Sequence, residues 1–111
     1  MQTPPEITFR HCEASDDMRS EIAAQMQRLA RFGDRITSCR IVITGPGNHH
    51  RTGAPYKAEL IIALPGRKEI VVSRHNAPER EHPRVAIREA FHEAIRQLED
   101  VTTEMRDEAK E

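Results

Sequence analysis

The chain has 111 residues, 37% of them hydrophobic and 32% charged, with a formal net charge of −1. That length predicts a single domain with one modest core, and that balance excludes a disordered chain. Leu60 to Pro65 is the longest apolar run, too short to span a bilayer, and Met1 to Glu6 lacks the charged and apolar regions of a signal peptide, so the expected location is the cytoplasm.

Glu6 to His11 reads as a first strand, with Ile7 and Phe9 on one side and Thr8 and Arg10 on the other. Ser15 is a suitable N-cap, and Asp16 and Asp17 fall in the first turn, where a helix dipole favours acids. The helix is expected to run to about Phe32, with Met18, Ile22, Met26 and Leu29 as its apolar stripe. Gly33 then stands where a positive-φ residue ends a helix.

Ile36 to Thr44 reads as a second strand, in which Cys39, Ile41 and Ile43 alternate with Arg40, Val42 and Thr44. Gly45-Pro46-Gly47-Asn48 ends it, and a polar loop follows to Pro55. Tyr56 to Leu64 is a third strand, with Tyr56, Ala58, Leu60 and Ile62 on one face. Pro65-Gly66-Arg67-Lys68 turns the chain into a fourth strand, Glu69 to Arg74, so that the two make a hairpin. After a loop from His75 to Glu81, Pro83 opens the last helix, whose Ile87, Phe91, Ala94, Leu98, Val101 and Met105 follow a 4-3-4-3-4 spacing. The charged end, Arg106 to Glu111, is expected to fray.

The order βαβββα predicts an α+β fold: a four-stranded mixed sheet with two helices packed on one face. A right-handed crossover makes the first two strands parallel, and the short later connections suit antiparallel pairing. The other face would then carry Thr8, Arg10, Arg40, Thr44, Lys57 and Glu59.

Catalytic and metal chemistry find little support. His92-Glu93 begins like a zinc-protease motif, but Arg96 stands where the second histidine ligand is needed. His49-His50-Arg51 lies in a loop, and Gly45-Pro46-Gly47 leads into another strand rather than the helix that a phosphate loop requires. Cys12 and Cys39 make no disulfide framework and read as two small thiols. Neither an enzyme nor a cofactor-binding protein is expected, and no small-molecule substrate.

Charge is distributed unevenly. Residues 1–74 carry 11 Lys+Arg against 8 Asp+Glu, or +3, whereas residues 75–111 carry 6 against 10, or −4. Arg19, Arg28, Arg31 and Arg35 lie on or just after the first helix, and no acid intervenes between Glu21 and Asp34. Such a surface suits phosphates, which give affinity and salt dependence without reading sequence. Only four aromatic residues, Phe9, Phe32, Tyr56 and Phe91, are present, too few for stacking along a single strand.

The whole pattern resembles the hibernation-promoting factor and ribosome-associated inhibitor family, also known through sigma-54-modulation and subunit-interface names. The resemblance spans about residues 6–100. It is carried by Ile7-Thr8-Phe9-Arg10, Met18-Arg19-Ser20-Glu21-Ile22, Gln27-Arg28-Leu29-Ala30-Arg31-Phe32 and the strand from Asp34 to Ile43. The hairpin segments Tyr56-Lys57-Ala58-Glu59-Leu60 and Glu69-Ile70-Val71-Val72-Ser73-Arg74 add to it, as do Ala86-Ile87-Arg88-Glu89-Ala90-Phe91 and Arg96-Gln97-Leu98-Glu99.

The resemblance implies a stress or stationary-phase factor that binds the small ribosomal subunit through 16S rRNA. Members sit at the decoding channel and inhibit translation. It carries Arg19, Arg28 and Arg31 over to the basic first helix, and Arg88 and Arg96 to the last helix; Arg35, just after the first helix, joins them as an expected RNA contact through its place in the basic surface. It also implies a short member, without the second domain through which long members pair ribosomes. The family's last helix is usually rich in lysine toward its end, where this chain has Glu93, Glu99 and Asp100. That departure motivates an alternative, a protein-interaction module of the same fold that has lost RNA binding.

Overall fold

The structure is a computed structural model that describes residues 3–46, 55–66, 68–76 and 82–109, with side chains as far as residue 103. The polar loop with His49-His50 and most of the loop before the last helix lie outside these residues.

Strand β1 (Glu6–Arg10) leads to helix α1 (Asp16–Leu29), which passes into a 3-10 segment (Ala30–Arg35). Strands β2 (Ser38–Thr44), β3 (Lys57–Ala63) and β4 (Glu69–His75) follow, and helix α2 (Pro83–Ala109) comes last. The strands stand in the order β1-β2-β3-β4. β1 and β2 are parallel, and the other two pairs are antiparallel. The α+β arrangement expected from the alternation is the one observed.

Registers put Ile7, Ile41, Leu60 and Val72 in one row across the sheet, all facing the helices. Ile41, Leu60 and Val72 are buried in that row, beneath Ile87, Phe91, Ala94 and Leu98 of α2 and Met18, Ile22 and Leu29 of α1. The period of two along the strands and of about 3.6 along the helices therefore meet in one core. Helix α2 packs over β3 and β4, and α1 lies beside it, which leaves β1 the barest strand.

The opposite face carries Thr8, Arg10, Arg40, Thr44, Lys57 and Glu59, as the alternation requires. It is not wholly polar. Val42, Ile61 and Val71 share it, and Val42 is 7% exposed because its cross-strand neighbours Thr8 and Glu59 cover it. Val71 remains open at 59%.

Ser15 caps α1 by accepting a hydrogen bond from the Met18 N–H at 3.2 Å. The α-helix ends at Leu29, three residues before Phe32, and tightens into the 3-10 segment. Gly33 has the expected positive φ, +50°, but its ψ of −124° takes it outside the left-handed helical basin. Phe32, buried within this tighter turn, still reaches the core. In α2, His82 accepts from the Arg84 N–H through Nδ1 at 3.1 Å, serving as the N-cap before Pro83. The helix then runs on to Ala109.

Asn76 closes the open end of the β3–β4 hairpin. Its side-chain Oδ1 accepts from the Tyr56 N–H, and its own N–H donates to the Tyr56 carbonyl at 3.1 Å. Gly45 continues the β1–β2 ladder by donating to the Arg10 carbonyl at 2.8 Å. A Cβ at Gly45 would lie 2.9 Å from the His11 carbonyl oxygen, closer than real contacts allow, so only glycine fits there. Cys12 and Cys39 are free thiols, and burial pushes that of Cys39 up to about 11.

The two helices run parallel, as two polar ties show. His82 Nε2 stands 3.7 Å from Asp17 at their N-terminal ends. Further along, the Arg88 guanidinium donates to Glu21 at 2.8 Å. Burial alone would raise the Glu21 carboxyl. The hydrogen bonds from Arg88 and Gln25, and the charges of Arg88 and Arg84, outweigh it and hold the group below its ordinary range.

Phe91 is fully buried at the centre of the core, and Phe91→Ala should cost about 3–5 kcal/mol in urea unfolding. Because the Glu21 pKa is depressed by folding, its contribution to stability is present above the ordinary carboxylate range. It is lost as pH falls through the depressed value. Glu21→Gln should therefore lower stability at pH 7 and flatten its decline on acidification. An acid-unfolding profile of the same steepness as the parent's would contradict this.

Candidate nucleic-acid interface

The six arginines singled out in the sequence do not gather in one place. At about 100° per residue, Arg19 and Arg28 stand roughly 180° apart around α1. Arg19 leans toward β1, with its guanidinium carbon 5.8 Å from the centre of the Phe9 ring. That contact keeps the charge over the face of an apolar ring.

Arg28 lies on the other flank of α1, the one turned toward α2, and Arg31 follows in the 3-10 segment. Both are exposed. Arg28 is steadied by Gln25, whose Oε1 accepts at 3.3 Å, and Arg31 Nε donates to the Arg28 carbonyl at 3.2 Å. The second bond draws Arg31 back along the helix, so the two guanidinium groups share one ridge. Gln25 is itself buried and also donates to Glu21 at 2.9 Å. The chain Arg28–Gln25–Glu21–Arg88 therefore links α1 to α2 through side chains alone.

Arg88 sits on the flank of α2 that faces this ridge. Its partner Glu21 has a side chain only 9% exposed, whereas Arg88 is 46% exposed. The acid is thus withdrawn and neutralised, while the base still meets solvent. Arg84, one turn earlier on the same flank, is exposed and near enough to lower the Glu21 carboxyl. Sequence reasoning passed over Arg84. Its i, i+4 relation to Arg88 was the available signal, since that spacing places both on one helix face. His92 follows Arg88 by the same spacing and is also exposed.

Arg96 and Arg35 lie apart from this ridge. Arg96 pairs with Glu93, which also receives Arg74 of β4 at 3.9 Å. Hydrogen bonds from Arg96 and Gln97, with the Arg96 and Arg74 charges, lower the Glu93 carboxyl. Glu93, the nearest of the unexpected acids on α2, is therefore compensated in place. Glu89, Glu99 and Asp100 remain exposed. Arg35 ends the 3-10 segment and lines a cleft of about 430 Å³ with Phe32, Leu64, Lys68 and Leu98.

The resulting surface is a shallow basic ridge between two parallel helices, with Arg28 and Arg31 on one wall and Arg84 and Arg88 on the other. It presents guanidinium groups and no stacking aromatic, since Phe32 and Phe91 are buried. Planar donors of this kind suit phosphate oxygens. Among the described residues there is no group of three or more histidine, cysteine or acidic side chains that could hold a metal. No described helix is long and apolar enough to cross a membrane.

Among solved structures, the N-terminal domain of Protein Y from Thermus thermophilus aligns with a TM-score of 0.66 at 22% identity, covering 91% of this chain and 99% of that one. A ribosomal subunit interface protein from Coxiella burnetii aligns with a TM-score of 0.69 at 14% identity, covering 89% and 97%. At these identities the likeness establishes the fold. No curated protein sequence matches significantly. Residues 6–106 match the family described as Sigma 54 modulation protein / S30EA ribosomal protein. The chain belongs to that family, whose members bind ribosomes and are not enzymes.

Proposed function

We propose that this protein binds the small ribosomal subunit by laying the ridge between α1 and α2 against 16S rRNA phosphates at the decoding channel, and so inhibits translation under stress or in stationary phase. The observation that carries this reading is the pairing of Glu21 with Arg88. It neutralises an acid between the two helices while Arg28, Arg31, Arg84 and Arg88 stay exposed. Arg19, Arg35 and Arg96 flank the ridge as outlying contacts. Family membership supplies the ribosome as partner, and a cytoplasmic location follows from that partner.

Recognition of this kind rests on shape and backbone charge, because the ridge offers nothing that reads base edges. Each phosphate neutralised releases counterions, so binding should weaken steeply with salt. The exposed acids Glu89, Glu99 and Asp100 on α2 favour a second reading, in which this helix meets a basic protein surface instead. The two readings differ in what salt and arginine substitution do.

Purified protein sedimented with vacant small subunits on sucrose gradients should travel with them at low salt and leave as salt rises. The double variant Arg28→Glu, Arg31→Glu should stay at the top of the gradient with an unchanged circular dichroism spectrum. Co-sedimentation that persists in the double variant would remove the ridge from the RNA interface. In a binding titration, Arg28→Ala with Arg31→Ala should lower the slope of log affinity against log salt by about 2. A slope equal to the parent's would move the contact to another face and support the protein-partner reading.

A further inference from the structure

Strand β1 is an edge strand. Among the described residues it pairs only with β2, and none of them pairs with its other side. Arg10 accepts from the Gly45 N–H, which fixes the phase of the parallel ladder: Glu6, Thr8 and Arg10 direct their backbone groups to β2. The N–H and C=O groups of Ile7 and Phe9 therefore point outward, and no described residue hydrogen-bonds to them. Above this edge, Ile7, Phe9, Ile22, Ala23 and Met26, together with Arg19, line a largely apolar groove of about 370 Å³, and Ile7 is 45% exposed. An apolar side chain beside a row of free backbone groups is a template for another strand.

The sequence of β1 suggests which strand. Glu6-Ile7-Thr8-Phe9-Arg10 is symmetric about Thr8 in polarity and opposite in charge at its ends. Charges on an edge strand ordinarily discourage pairing. A second β1 laid antiparallel, with Thr8 opposite Thr8, meets Glu6 with Arg10 at both ends instead. The same register sets Ile7 opposite Phe9, the two residues whose backbone groups point outward, as hydrogen-bonded pairs. Their side chains close over the apolar groove. Main-chain, apolar and charge complementarity thus all select one register.

We propose that β1 is a homotypic edge through which two copies of this chain join, antiparallel about a two-fold axis at Thr8, into one continuous sheet. The contact is isologous, so it closes on itself and gives a dimer rather than a fibre. It uses the flank of α1 that carries Arg19 and leaves Arg28 and Arg31 on the far side. Dimerisation is therefore separable from the RNA contacts of Arg28 and Arg31, and failure of either leaves the other standing.

Sedimentation velocity of the full chain at about 0.1 mM, a concentration that reports weak association, should show a dimer that dissociates on hundredfold dilution. Glu6→Arg and Arg10→Glu each place like charges across both ends of the seam, and each should be monomeric. Mixed in equal amounts they meet as opposites and should dimerise again. Thr8→Cys gives an independent reading that does not require either charge variant to fold. Facing residues of a non-hydrogen-bonded pair lie about 4.5 Å apart, within disulfide reach. Mild oxidation should link that variant into a dimer. The parent should stay unlinked, as should Glu6→Cys, whose two copies would stand roughly 14 Å apart along the strands. A parent chain that is monomeric at that concentration, a dimer indifferent to both charge variants, or equal linking through positions 6 and 8 would overturn the proposal.

Discussion

Covering one face of a four-stranded sheet with two helices is the constraint from which the rest of the structure follows. The row Ile41, Leu60 and Val72 has no alternative means of leaving water. Because β1 and β2 are joined by a crossover, α1 must run opposite to them. Because β4 runs parallel to β2, α2 descends in the same direction as α1. The helices are parallel by topology, not by any preference of their own. That brings their N-terminal ends together, where dipoles repel and where Asp17 and His82 meet. It also sets Glu21 opposite Arg88, and the basic ridge is built around that pair.

Much of this was legible in the sequence, because burial on one side imposes a period. Cys39, Ile41 and Ile43 alternate cleanly, and Ile87, Phe91, Ala94 and Leu98 keep helical spacing, so both elements and their inward faces could be read directly. The end of α1 was not. A run of helix formers continues through Ala30 and Arg31, and only the backbone demand at Gly33 turns the last residues into a 3-10 segment. Alternation also gave too simple an account of the open face. Val42 is covered by cross-strand neighbours that period alone does not weigh.

The arginines were harder to place, for a physical reason. Position along a helix gives an angle, but the direction of the core and the identity of the facing helix come from tertiary packing. Helical spacing sets Arg19 and Arg28 roughly 180° apart, but it does not say which of them faces β1 and which faces α2. Glu21 is one of three acids in α1. Its partner is 67 residues away in the sequence, and nothing local announces the pairing. Glu93 likewise reads as a blemish on a basic helix until Arg74, from a neighbouring strand, is seen beside it.

The parallel helices have one more effect, on how the molecule meets a distant partner. Acids stand at the N-terminal end of α1, in Asp16 and Asp17, and bases at and just after its other end, in Arg28 and Arg35, so side-chain charge opposes the backbone dipole of that helix. With a net charge of −1, little field survives far from the surface. Attraction by the ridge then begins only within about a Debye length, roughly 8–10 Å in physiological salt. A uniformly basic protein is drawn to any polyanion from a distance and lingers on many wrong ones. This one is held back from such diversions, and its residence is decided by whether a surface fits at close range.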